Sequence, residues 1–458
     1  MLYHPWIPNS DPKIKEDMLR FLGASFEDLI RDIPEKIRLR RELEVGFGRP
    51  LSEHEVSIIL EKILSKNVVF KDPPPFLGGG VCPHAVPYVV KYILMRGEFY
   101  TAYTPYQAEI NQGLMQVLFE YQSMIADLYG VDVVNSSMYD VSTATAEAIR
   151  MMMRITRKRG VLVPEKMNPF IKKVVETWLW PVDGVLIRYR IDPAEGILIL
   201  DKFSESEIGG LYLENPSFLG EIIEETDLLN DYVKKKKFIF IVNAEPLSLG
   251  LLKPPGEYGA DIVVGNGSSL GLGMNYGGPS LGILGIKMRE EFIRQLPGRL
   301  IGATREVDGD KKGFAMILQT REQHIRRERA TSNITTNSAL EAVAAAVYLS
   351  YVGEKGLRRL GESIYQRTVY MKNRVEKDLV GKACINSERR FFFRELPIRF
   401  ITRSYREIHR ELLKRGIHGG LLLDNLMEGM VNTSLFCVTE LHSRSHIDLL
   451  IKTLAEVA

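Results

Sequence analysis

Cysteine is scarce: Cys82, Cys384 and Cys437 are the only three in 458 residues, odd in number and far apart along the chain. That excludes a disulfide framework of the kind small secreted domains rely on, and no metal-ligand spacing appears. The chain reads as reduced and cytoplasmic. Charge of one sign is also lacking. The 60 basic and 58 acidic residues leave a net +2, which makes no electrostatic case for a nucleic-acid or membrane partner. No apolar run approaches the length of a membrane span. Asp11, Lys13, Lys15, Glu16 and Asp17 interrupt any apolar stretch near the start, so no signal peptide is expected there. Repeats and low-complexity tracts are absent. One further gap is local: no Lys or Arg lies between Lys253 and Lys287.

What surrounds that gap is informative. The apolar run 238–242 ends in polar Asn243 and Glu245. A second run, 261–264, opens into a loop holding Gly265, Gly267, Ser268, Ser269, Gly271, Gly273, Gly277 and Gly278. An acid closing one strand, then a strand and a Gly-rich loop, is how many pyridoxal-phosphate (PLP) enzymes hold their cofactor. There the loop also supplies the Schiff-base lysine, and an acid faces the pyridine nitrogen. Here the reactive amine is missing, so such chemistry needs another chain.

The pattern predicts three regions. Residues 1–75 form a helical arm: Ser10 and Asp11 can cap, Pro12 suits a first turn, and Ser52 with Glu55 has capping-box spacing. The stiff segment 72–75 closes it. Residues 76–355 alternate helix and strand, with helices over 109–129 and from Asp140 towards Lys158. Strands fit 161–163, 185–189, 211–213, 238–242, 262–264 and 281–286. This alternation implies a large α/β domain with a mainly parallel sheet, whose ligands sit at the carboxyl ends of the strands. Residues 356–458 read as a small α+β domain, with strands at 391–393, 397–401 and 431–438 and helices at 405–414 and 447–457.

Each candidate residue has a plainer reading beside the functional one. The loop 265–278 is a degenerate cofactor loop or a turn between core strands. Glu245 faces a pyridine nitrogen or, more simply, caps a neighbouring loop. The small polar segment 135–145, with Asp140 and Thr143, is an anion site or an ordinary helix cap, and Val141 favours the cap. Tyr100, Tyr103 and Tyr106, with Thr104 and Gln107, line a shared site or pack an interface. The run holding Arg321, Arg326, Arg327 and Arg329 is a solvated face or an anion-binding one. His84 sits in a Gly-rich loop that can face the site. His442 and His446 lack a third ligand, so no metal is expected.

Three blocks carry a resemblance: Pro246-Leu247-Ser248-Leu249-Gly250 with Lys253-Pro254-Pro255-Gly256-Glu257-Tyr258-Gly259-Ala260-Asp261; Glu98-Phe99-Tyr100-Thr101-Ala102-Tyr103-Thr104-Pro105-Tyr106-Gln107; and Arg321-Glu322-Gln323-His324-Ile325-Arg326-Arg327-Glu328-Arg329-Ala330-Thr331-Ser332-Asn333. The start, His4-Pro5-Trp6-Ile7-Pro8-Asn9, fits as well. The chain resembles subunit 1 of the two-subunit glycine decarboxylase, the P-protein of the glycine cleavage system. The resemblance implies an aspartate-aminotransferase-like (fold type I) domain with a small C-terminal domain. It implies PLP held covalently by subunit 2, with the equivalent place here near Ser268 or Ser269. Subunit 2 would decarboxylate glycine and pass the aminomethyl group to the lipoyl arm of the H-protein, in a heterotetramer of two of each subunit. It implies that Thr331, Ser332 and Asn333 reach a cofactor phosphate across the interface. Two other readings stay open: a self-sufficient PLP enzyme using Lys253 or Lys287, and a non-catalytic scaffold that kept the fold.

Overall fold

The computed structural model describes residue 7 and residues 10–41, 46–192, 196–335 and 337–458. His4, Pro5, Trp6, Pro8 and Asn9 lie outside these. The chain divides into two compact units, Met1–Val69 and Phe70–Ala458.

In the first unit the Pro12–Leu22 helix starts where Asp11 accepts a bond from Lys13 N at 2.8 Å and ends at Gly23 with φ 59°. Ser52 and Glu55 form the reciprocal capping box at the head of the Glu53–Leu64 helix. Neither helix buries a residue fully.

The second unit is built on an eight-stranded sheet. Its strands are β1 (Val133–Val134), β2 (Gly160–Pro164), β3 (Val185–Asp192), β4 (Gly196–Ile199), β5 (Ile208–Glu214), β6 (Ile239–Asn243), β7 (Ile262–Asn266) and β8 (Gly282–Ile286). The order is β1-β8-β7-β6-β5-β2-β3-β4. The central run from β7 to β3 is parallel, while β1, β8 and β4 pair antiparallel. β6 shows why these apolar runs become strands. Phe240 and Val242 pack into the core under the Gln112–Tyr129 helix, whereas Ile239 and Ile241 join the opposite core with Ile149 and Met152. A strand buried on both faces is apolar throughout. The Gln112–Tyr129 helix buries Leu114, Leu118, Tyr121 and Ile125, and Gly130 closes it at φ 67°.

A hairpin, β9 (Leu300–Arg305) with β10 (Lys312–Ile317), follows. The Ala339–Asp378 helix then kinks at Gly353, φ 63°. It runs from the first core to a four-stranded antiparallel sheet of β11 (Ala383–Ile385), β12 (Glu395–Phe400), β13 (Leu421–Leu422) and β14 (Thr433–Cys437). The Tyr405–Lys414 and Arg444–Val457 helices cover this second sheet. Residues 391–393 depart from expectation. Only Phe392 forms a bridge, to Glu221, and Arg394 at φ 56° breaks the extended run. Among the described residues no helix is long and apolar enough to cross a membrane.

Candidate functional site

The loops after β6 and β7 meet at the carboxyl end of the sheet, where the residue just before β12, Arg394, also arrives. Glu245 follows β6 and caps the short turn Pro246–Gly250. Its Oε1 accepts from Ser269 Oγ at 2.6 Å, and its Oε2 pairs with Arg394 Nη2 at 3.0 Å. Both members of that pair are about nine-tenths buried, at 9% and 11% side-chain exposure. Burial is the largest single influence and works against the Arg394 charge, but Glu245 first, then Cys82, Glu395 and Cys437, together outweigh it, and the guanidinium stays protonated well above its ordinary range.

Arg394 continues outward. Its Nη1 donates to His84 Nε2 at 3.2 Å, so His84 Nδ1 carries the proton it shares with Glu440 at 3.0 Å. Glu440 also accepts from Ala85 N at 2.6 Å. Burial pushes the Glu440 carboxyl up, yet His84 and the Ala85 N–H hold it below the usual range. Glu395 accepts from Gly79 N and Gly80 N at 2.7 and 2.9 Å, and burial raises its pKa despite neighbouring Arg394. The cluster therefore sets Glu245, Glu395 and Glu440 against one arginine and one histidine.

The Gly-rich loop turns on itself. Ser268 Oγ lies 3.0 Å from Ser280 Oγ, and Ser268 N donates to Asn266 Oδ1 at 3.0 Å. Gly265 is glycine for packing: a Cβ there would sit 2.1 Å from Tyr129 Oη, whose hydroxyl donates to Ala244 O at 2.7 Å. The space left is small. About 120 Å³ remains beside Ser268, Ser269 and Gly278, and about 80 Å³ between Asn168, Glu214, Asn243 and Glu245. Small-molecule sites usually enclose roughly 300–1,000 Å³. Glu214 accepts from Asn168 N at 3.1 Å and from Tyr212 Oη at 3.1 Å, and burial pushes its carboxyl up to about 7.

PLP does not fit this pocket. Its hydroxyls are engaged, its acid is paired with an internal arginine, its walls are rich in carboxylates and, among the described residues, no lysine lines it. Lys287 follows β8, which runs antiparallel to β7, and so lies at the opposite end of the sheet, with its N–H on Asp261 O at 3.0 Å. Lys253 is exposed in the crossover from β6 to the start of β7.

Asp140 and Thr143 form a reciprocal cap on the Val141–Thr156 helix, Thr143 N donating to Asp140 Oδ1 at 2.8 Å. Ser332 bonds to Glu147 of its own chain, Thr331 N donates weakly to Arg321 O at 3.4 Å, and Asn333 is exposed. Arg321 donates to the backbone oxygens of Leu296, Gly298 and Leu318 and is thereby structural.

The tyrosine block is different. Tyr100, Tyr103 and Tyr106 are 62%, 74% and 53% exposed, with Thr104 half-buried and Gln107 exposed. Tyr106 is clamped from beneath. Arg299 Nη2 donates to its hydroxyl at 2.9 Å and the guanidinium lies 4.8 Å from the ring centre. Arg299 also donates to Thr335 O at 2.7 Å and pairs with Glu322 at 3.0 Å, both side chains 4% exposed. Burial raises the Glu322 carboxyl, opposed by Arg299 and His324. Sequence reasoning missed Arg299 and Arg394 as parts of these clusters. Neither sits in a polar motif that would have singled it out.

Comparison with known proteins identifies the family and the fold. The glycine cleavage system P-protein family profile matches residues 4–454. A relative from Sulfurisphaera tokodaii, described as glycine dehydrogenase (decarboxylating) subunit 1, is 49% identical over 99% of both chains. One from Staphylothermus marinus with the same description is 47% identical, covering 99% of this chain and 98% of its own. A crystal structure of glycine decarboxylase (P-protein) in inhibitor-bound form superposes with a TM-score of 0.85 at 38% identity, over 100% of both chains. The chain belongs to the glycine cleavage system P-protein family.

Proposed function

We propose that this chain is the subunit of a glycine dehydrogenase (decarboxylating) that carries no Schiff-base lysine and is active only with subunit 2. PLP, held covalently by that partner, supplies the electron sink for decarboxylation. The aminomethyl group then passes to the lipoyl arm of the H-protein. Two copies of each subunit assemble in the cytoplasm, without nucleic acid or membrane.

The observation that carries this reading is a contrast within one fold. The chain's own pocket is closed by Glu245, Ser269 and Arg394, while Tyr100, Tyr103 and Tyr106 are exposed, Tyr106 being held by the buried Arg299. This chain's part is to bind and orient: Tyr100, Tyr103, Thr104, Tyr106 and Gln107 form one wall of the partner's site and exclude water from it. Thr331 and Asn333 border the same cross-subunit region, with Ser332 anchoring the segment through Glu147.

The reconstituted pair tests this. Tyr103→Phe or Tyr106→Phe lowers glycine decarboxylation about tenfold, the scale of one lost hydrogen bond to a charged group. The two subunits still co-elute. Unchanged turnover for both variants would favour a scaffold that only kept the fold. Against a self-sufficient PLP enzyme stand the exposure of Lys253 and the place of Lys287 at the end of the sheet opposite the Gly-rich loop.

A further inference from the structure

We infer that Cys82 and Cys437, free thiols packed against each other, are oxidised by a small-molecule disulfide to a bond that staples the Gly-rich 78–84 loop to the second sheet. Sequence spacing gives no hint of this, since 355 residues separate them. The fold removes that separation. Leu77 bridges antiparallel to Phe436, and Cys437 N donates to Phe76 O at 2.9 Å, so the incoming chain lies along β14. Gly79 and Gly80, at φ 87° and 88°, then reverse its direction, a backbone that glycine accepts without strain. The carboxylate that fixes this turn, Glu395, is the register partner of Cys437 across β12 and β14. Beyond the turn, Thr439 Oγ1 donates to Pro83 O at 2.7 Å. Cys82 is thus returned onto Cys437 from both sides, and the two Sγ atoms stand 2.6 Å apart, both side chains buried.

A metal does not account for the pair. Two thiolates on one tetrahedral zinc, with Zn–S near 2.3 Å, lie about 3.8 Å apart. The neighbouring histidine, His84, already spends both ring nitrogens on Arg394 and Glu440.

The oxidant is a small-molecule disulfide. The Cys82 thiolate attacks one of its sulfurs and expels a small thiolate, leaving a mixed disulfide on Cys82. Cys82 is the accessible member at 7% exposure, against 0% for Cys437. The Cys437 sulfur, losing its proton, then attacks the Cys82 sulfur and expels the second small thiolate. Two protein thiols are oxidised, one small disulfide is reduced to two thiols, and both released protons end on those thiols or in solvent.

The full-length chain, alkylated in denaturant without reductant after exposure of the native protein to oxidised glutathione, tests the assignment by intact mass. The expected result is one alkylated thiol, on Cys384, with a single cross-linked peptide joining Cys82 to Cys437. Prior reduction restores three. Three alkylated thiols after the oxidant, or a lasting glutathione adduct on Cys82, would overturn it. Cys82→Ser leaves two alkylatable thiols; loss of Cys437 in that variant would overturn it as well. The staple rests on local geometry alone and stands independently of the proposed function.

Discussion

Arg394 is the side chain on which most of the closed pocket depends. It is buried, and its charge is matched by Glu245. Removing one member of such a pair leaves the other charged in a low-dielectric site. Arg394→Met is expected to destabilise the chain by about 3–5 kcal/mol in urea denaturation. The double variant Arg394→Met with Glu245→Met recovers most of that loss, because an apolar pair of similar volume replaces two charges. Glu214 gives a second residue-scale expectation. Its folded pKa, about 7, lies above the ordinary value of 4.5 for a glutamate. The folded state therefore binds a proton that the unfolded state has lost. Stability from this group is fully present below pH 4.5 and falls as pH rises through about 7. In Glu214→Gln the decline over that window flattens, as read from denaturation midpoints at pH 5 and pH 8. At this scale the missing lysine was legible, because absence between two numbered lysines needs no structure. Arg394 was not: its place opposite Glu245 depends on a return from a distant segment.

Among the elements, the caps and the doubly buried strands followed from local rules. Asp140 illustrates the limit of reading such residues as a ligand site. The Asp140–Thr143 box satisfies the first turn of the Val141–Thr156 helix. Asp140→Ala is expected to cost about 1 kcal/mol of stability, with Asp140→Ser restoring most of it. Cofactor content of the reconstituted pair stays unchanged in both. A fall in cofactor content without a fall in stability would contradict the cap. The strands of the large sheet were legible because runs such as Ile239 to Val242 supply apolar side chains to two cores at once. The segment 391–393 was misread for the same reason. Its three phenylalanines look like a strand, but Phe393 N bonds to Gly220 O and the chain turns at Arg394 instead of pairing further. The long helix begins at Gln112 because residues 108–110 take a tighter 3₁₀ turn.

At the scale of the molecule, the order of helices and strands pointed to an α/β sheet with a smaller sheet after it, and the arrangement found has both. How loops from distant parts converge on the cluster around Arg394 was not legible, since that depends on tertiary packing. The purified chain is expected to remain colourless when mixed with PLP, and borohydride treatment should attach no cofactor to any of its lysines, as read by mass. A yellow chain with a reduced adduct on Lys253 or Lys287 would instead revive the self-sufficient reading. The closed pocket also bears on reversibility. Glu245 and Arg394 join the loop after β6 to the edge of β12, so the contact that shuts out a ligand is one of those fastening the two sheets. A lone Ser269→Lys change would bring a second cation to Glu245, which already pairs with Arg394. Reopening the cavity would mean loosening the scaffold first.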